Sequence, residues 1–176
     1  MTVLPDIGMP GVTLVICGEQ AGPASARVGH YYAASSNRFW RTLREIALVP
    51  DGIDWPQDFS LPGYGIGLTD IKKTTVHGNQ APVLDSDRDR FFHLMSKWQP
   101  RIIAFHGLSV ARSVLKIANL ACGAIDSALL PSALSARAVF AVTSTSAANG
   151  HFARQRHSWE ALAKEFHGQR GAAREN

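Results

Sequence analysis

The chain has 176 residues, 45% of them hydrophobic, a formal net charge of +4 and only two cysteines. That length and apolar content suit one domain with a real core, while two cysteines exclude a disulfide framework or a four-thiolate iron–sulfur cluster. No stretch approaches a membrane span of about 18 apolar residues, and the amino terminus has neither a basic region leading into a long apolar run nor a cleavage signature, so no membrane insertion or export is expected.

The first predicted element is a buried parallel strand over 12–17, apolar and rich in β-branched residues. Cys17 lies inside it and reads as a small buried hydrophobe. The strand opens into Gly18-Glu19-Gln20-Ala21-Gly22, where two glycines let the backbone turn sharply and present the polar side chains at the carboxyl end of the sheet. Open α/β sheets bind their ligands there. The spacing lacks the Gly-Lys-Ser/Thr of a phosphate loop and the G-x-G-x-x-G of a dinucleotide fingerprint, so no nucleotide cofactor is expected. An ordinary strand-to-helix turn is the plainer alternative.

Further strands are expected near 64–69, 101–106 and 138–143, with helices at 37–47, 87–98, 109–119 and 152–167. Strands alternating with helices predict a three-layer α/β/α sandwich around a mainly parallel four-stranded sheet. Segments 51–62 and 77–86 read as loops from their proline, aspartate and glycine content. Residues 1–167 form the domain, and the polar tail 168–176 is too poor in apolar residues to pack. The positive charge concentrates near the carboxyl end, where Arg154, Arg156, Lys164, Arg170 and Arg174 outnumber Glu160, Glu165 and Glu175. Such an excess favours a polyanion, although many solvated surfaces are as basic. The seven histidines show no metal-ligand spacing, and no metal is expected.

Five stretches in register resemble the uracil-DNA glycosylase superfamily, and particularly its mismatch-specific uracil/thymine branch. They are GEQAG at 18–22, GHYY at 29–32 with NRFW at 37–40, YGIGLTD at 64–70, QPRIIAFHG at 99–107 and TSTSAAN at 143–149. The resemblance spans roughly residues 3–166. It implies a uracil-DNA glycosylase fold and a monomeric, intracellular enzyme that acts on DNA containing uracil, without a cofactor.

Releasing a base from DNA requires extruding the nucleotide, sandwiching the base and stabilising charge as the glycosidic bond breaks. Tyr31 or Tyr32 could supply the sandwich, and Tyr32 aligns with the family's stacking phenylalanine; half-buried packing is the alternative for either. Gln20 stands where the resembling branch has asparagine and other branches aspartate. Its carbonyl can orient water but cannot take a proton. Glu19, one residue earlier, is the better proton acceptor, unless it only caps the following helix. Ala21 falls in the same base-binding loop. Asp70 replaces the family's asparagine against the base edge. When ionised it only accepts hydrogen bonds, which leaves the preferred base open; it could instead cap a helix over 72–76. His106 reads as a structural histidine that could also reach a ligand.

The second motif supplies Ser144, also counted with the base-binding residues, and Ser146 as phosphate contacts, with Ala147, Ala148 and Asn149 where the family inserts a bulky side chain into the duplex, and His151, Phe152 and Arg154 just beyond. Small residues fill little of the gap. Either His151 or Phe152 substitutes, or the substrate is already unpaired. The sequence therefore predicts a monofunctional glycosylase for uracil or a related deaminated base, the alternatives being a protein that binds abasic or distorted DNA with little turnover and a hydrolase of free nucleosides.

Overall fold

The computed structural model describes residues 4–73, 81–134, 136 and 138–172. Four strands, β1 (Leu14–Gly18), β2 (Ile66–Asp70), β3 (Ile102–His106) and β5 (Ala138–Val142), run parallel, and a two-residue strand, β4 (Gly123–Ala124), adds antiparallel to β5. The order is β2-β1-β3-β5-β4. The expected sheet thus gains a short fifth strand, which covers the free edge of β5 and was too brief to leave a periodic signal.

Strand residues alternate between two cores, as the pleat requires. Leu14, Ile16, Ile102, Ala104, Phe140 and Val142 face Trp40, Leu43, Trp159, Leu162 and Phe166, from α2 (Phe39–Glu45) and α6 (His157–Ala172). Val15, Cys17, Ile103, Phe105, Val139 and Ala141 face Phe91, Met95, Trp98, Val110 and Val114, from α3 (Asp85–Trp98) and α4 (Leu108–Leu115). With both faces covered, the central strands carry apolar side chains at nearly every position.

Several local expectations are revised. A short helix α1 (Pro23–Val28) follows the first loop, with Pro23 opening it and Gly29 at φ 81° closing it. The stretch expected as a loop over 51–62 is largely 3-10 helix, Trp55–Tyr64, because Asp54 caps it: its Oδ1 accepts from Trp55 N at 2.8 Å and its own N–H donates to Gln57 Oε1 at 3.1 Å. Of 77–86, residues 77–80 lie outside the described residues and Asp85 already begins α3. Helix α4 stops at Leu115, with Lys116 at φ 58°. The last expected helix divides at Arg156 into α5 (Phe152–Gln155) and α6.

Helix α6 also runs to Ala172, into the predicted tail. Arg170 Nη1 donates to Tyr64 O at 2.9 Å with its guanidinium over the Phe166 ring, and Arg101 Nη1 donates to Gln169 O at 3.3 Å. Polar side chains therefore hold this turn where apolar ones are lacking. Among the described residues no helix is long and apolar enough to cross a membrane.

Candidate active site

The chain leaves β1 toward β2 on one side and later toward β3 on the other, so the carboxyl ends of β1 and β3 flank a topological switch point, where open sheets form a ligand crevice. A cavity of about 600 Å³ occupies it, bounded by Gly18, Asp70, His106 and Ser144 from the four parallel strand ends, by Glu19 and Gln20 from the first loop and by Tyr32 from the turn after α1.

Gly18 and Asp70 are register partners across β1 and β2. A Cβ at Gly18 would overlap Asp70 Oδ1 and lie 2.9 Å from the Tyr32 hydroxyl, so glycine is what admits both groups. Asp70 is buried, and burial lifts its carboxyl from 3.8 to about 6; nearby Lys73 and Arg90 oppose the rise, and Asp6 and Glu19 add to it. The helix over 72–76 that Asp70 could have capped falls partly outside the described residues. Lys72 and Lys73 in fact follow β2 without helical structure.

Both polar side chains of the loop line the cavity. Glu19 Oε1 receives Lys72 Nζ at 2.8 Å, and the buried Lys72 also donates to Ala81 O at 2.6 Å. Glu19 is thus held from behind by an ammonium anchored to the backbone, with its own side chain 43% exposed. Ala21, expected against the base, packs into the core and does not line the cavity. A side chain that small and apolar goes inward where the loop turns back to the sheet.

The two tyrosines separate. Tyr31 is buried behind the site, donating to Pro5 O at 3.1 Å and accepting from Lys73 Nζ at 2.7 Å. Tyr32 lines the cavity from a left-handed backbone at φ 53°. One face of its ring stacks on Phe39 at 3.8 Å and 21°, while His106 meets it edge-on at 4.9 Å. Its buried hydroxyl has no hydrogen-bond partner among the described residues.

His106 reveals a second polar wall. The Nε2 of its neutral ring meets both Thr145 N at 3.0 Å and Thr145 Oγ1 at 2.9 Å. Burial favours that neutral form, pushing the imidazole from 6.5 down to about 4. Thr145 Oγ1 donates to Asn37 Oδ1 at 2.7 Å, and Phe39 N donates to the same oxygen at 2.9 Å. The carboxamide oxygen of Asn37 is thereby engaged, and the residue lines the cavity. Sequence reasoning passed over Asn37 and Lys72. The only signal for Asn37 was its place at the head of NRFW, and nothing marked Lys72 as the partner of Glu19.

In the second loop Ser144 and Ser146 line the cavity, their hydroxyls accepting from Ser146 N and Ala148 N, each at 3.3 Å. Ala147 and Ala148 are exposed at its tip. Asn149 braces the loop instead of facing outward: Nδ2 donates to Thr143 Oγ1 at 2.9 Å and Ser144 O at 2.7 Å, and Oδ1 accepts from His151 N at 3.0 Å. His151 and Arg154 are exposed and hydrogen-bonded to each other. Phe152 packs on the core with Arg38 over its ring at 5.0 Å, and Arg38 Nη1 donates to Ser146 O at 3.0 Å. The Arg38 of NRFW therefore ties the second loop to the first helix of that motif. No cluster of potential metal ligands occurs among the described residues.

A three-layer α/β/α domain with a cavity at the ends of its parallel strands, lined by this set of loops, defines the class of protein: residues 5–164 match the uracil DNA glycosylase superfamily, and the chain belongs to it. Among solved structures, it is similar to the solution NMR structure of a protein from Methanosarcina acetivorans provisionally assigned as a uracil DNA glycosylase. The TM-score is 0.62 at 18% identity, covering 94% of this chain and 98% of that one. At that identity the likeness speaks for the fold.

Proposed function

We propose that the protein is a monofunctional DNA glycosylase that flips uracil, or a related deaminated base, from DNA into the cavity and hydrolyses its N-glycosidic bond. The observation that carries this reading is Glu19 and Gln20 lining one cavity with a tyrosine already stacked on one face. The base stacks on the face of Tyr32 turned from Phe39; such a contact is worth about 1–3 kcal/mol. Gln20 orients a water and Glu19 takes its proton as the water adds to the anomeric carbon of the sugar. The departing base leaves as an anion, beside the neutral imidazole of His106 at the cavity wall. Asp70 faces the base edge, accepting from a ring N–H when ionised and donating when protonated. Ser144 and Ser146 clamp the flanking phosphates, and the exposed Ala147, Ala148, His151 and Arg154 meet the strand. Asn149 acts through the loop it braces.

On this reading the enzyme works as a monomer inside the cell, on DNA, and needs neither metal nor cofactor. Base release from oligonucleotides carrying one uracil tests it. A second reading, binding of abasic DNA with little turnover, is favoured by the Lys72 ammonium that holds Glu19, and the same assay separates the two when paired with abasic-duplex binding.

A further inference from the structure

We propose that a second cavity beside the first is a subsite for the unpaired nucleotide flanking the excised one, so that the protein grips single-stranded DNA at two consecutive nucleotides. This rests on the DNA substrate proposed above. The second cavity, about 520 Å³, shares Tyr32, Ala34 and Asn37 with the base cavity, so a strand leaving the first passes over a common wall into the second.

Its far side is cationic and aromatic. Arg38, Arg41 and Arg44 recur every third residue and fall along one side of α2, facing the cavity. Opposed to them are Asp54, 3.3 Å from Arg44 Nη1, and Glu45, which takes Arg41 Nε at 2.6 Å and Arg156 Nη1 at 2.9 Å. Each guanidinium carries five donors. Arg44 Nη1 also donates to Ile53 O at 2.7 Å and Arg38 Nη1 to Ser146 O at 3.0 Å, so these contacts use one nitrogen of each guanidinium and leave the others for phosphate oxygens, a geometry guanidinium forks match well. Trp55, half-buried at the same cavity, stands in an aromatic row: His30 lies 5.4 Å from its ring and 5.7 Å from that of Phe59, which is 58% exposed. Phosphate-binding arginines beside a stacking ring are how single strands are held without sequence preference. A base can enter only if unpaired. The exposed tip of Ala147 and Ala148 agrees with this, since no bulky side chain there replaces an extruded base in a duplex.

Tryptophan fluorescence reads the subsite directly. Of the four tryptophans, Trp40, Trp98 and Trp159 are buried and Trp55 is not. Titration with a single-stranded oligothymidylate, which contains no uracil, is expected to quench the emission. Trp55→Ala should weaken binding of a labelled oligothymidylate at least fivefold, the lower end for loss of one stacked base. Arg41→Ala, at an exposed position that cannot compromise folding, should lower the salt dependence of log K by about one. Unquenched emission, or unchanged affinity and salt slope in both variants, would overturn the subsite. Because no base is released in this measurement, binding through Trp55 beside absent uracil excision would keep the subsite and remove the proposed activity. Uracil excision beside unaltered binding in the variants would do the reverse.

Discussion

Asp70 Oδ1 lies against the α-carbon of Gly18, its register partner one strand away, and the Tyr32 hydroxyl closes on the same point. The floor of the cavity is therefore set by the absence of one side chain. Gly18→Ala forces Asp70 or Tyr32 to move, and overpacking of this kind costs about 1–3 kcal/mol. Denaturant unfolding should show that loss, and uracil release by the variant should fall even where it remains folded.

The orphan hydroxyl of Tyr32 gives a paired prediction. Tyr32→Phe removes a buried group that has no partner among the described residues, so stability should hold or rise by up to about 1 kcal/mol, because an unsatisfied buried hydroxyl is itself a cost. Base stacking should survive. Tyr32→Ala removes the ring, and uracil release should fall with an increase in KM.

The Glu19–Lys72 pair separates chemistry from positioning. Glu19→Gln removes the proton acceptor and should lower single-turnover base release about 100- to 10,000-fold. Lys72→Met keeps the carboxylate but frees it from its tether, so the rate should fall by less while affinity for uracil-containing DNA changes little. A Lys72 variant as slow as Glu19→Gln would mean that the ammonium itself takes part.

Two groups give opposite pH dependences. His106 is pushed down from 6.5 to about 4, so the unfolded state binds the extra proton between those values; its contribution is complete above pH 6.5 and is lost as pH falls toward about 4. Asp70 is raised from 3.8 to about 6, so the folded state holds the proton; its contribution is complete below pH 3.8 and is lost as pH rises through about 6. Asp70→Asn removes the second dependence alone. The stability of the variant relative to the parent should climb between pH 4 and 6 and level off above, as followed by denaturant unfolding across that range.

Much of this was legible before any coordinates. Buried parallel strands announce themselves as β-branched apolar runs, and Gly18 to Gly22 announced a loop at the carboxyl end of the sheet, where a cavity lies. What stayed hidden depends on contacts distant in sequence. Lys72 meets Glu19 across 53 residues and Thr145 meets His106 across 39, and no local pattern encodes either. Ala21 and Asn149 were placed in the site by their motifs, yet one packs inward and the other braces its own loop. The 3-10 turns over Trp55–Tyr64 were hidden because proline and aspartate signal a break in α-helix as well as the caps of a tighter one.

The most direct test of the central claim is base release by the purified protein from matched oligonucleotides carrying one uracil, single-stranded and opposite guanine or adenine, beside Glu19→Gln and Gln20→Ala. Release of uracil that falls at least 100-fold in Glu19→Gln is the predicted result. No release from any of these substrates, together with tight binding to an abasic duplex, would contradict it and leave a DNA-binding protein built on a glycosylase fold.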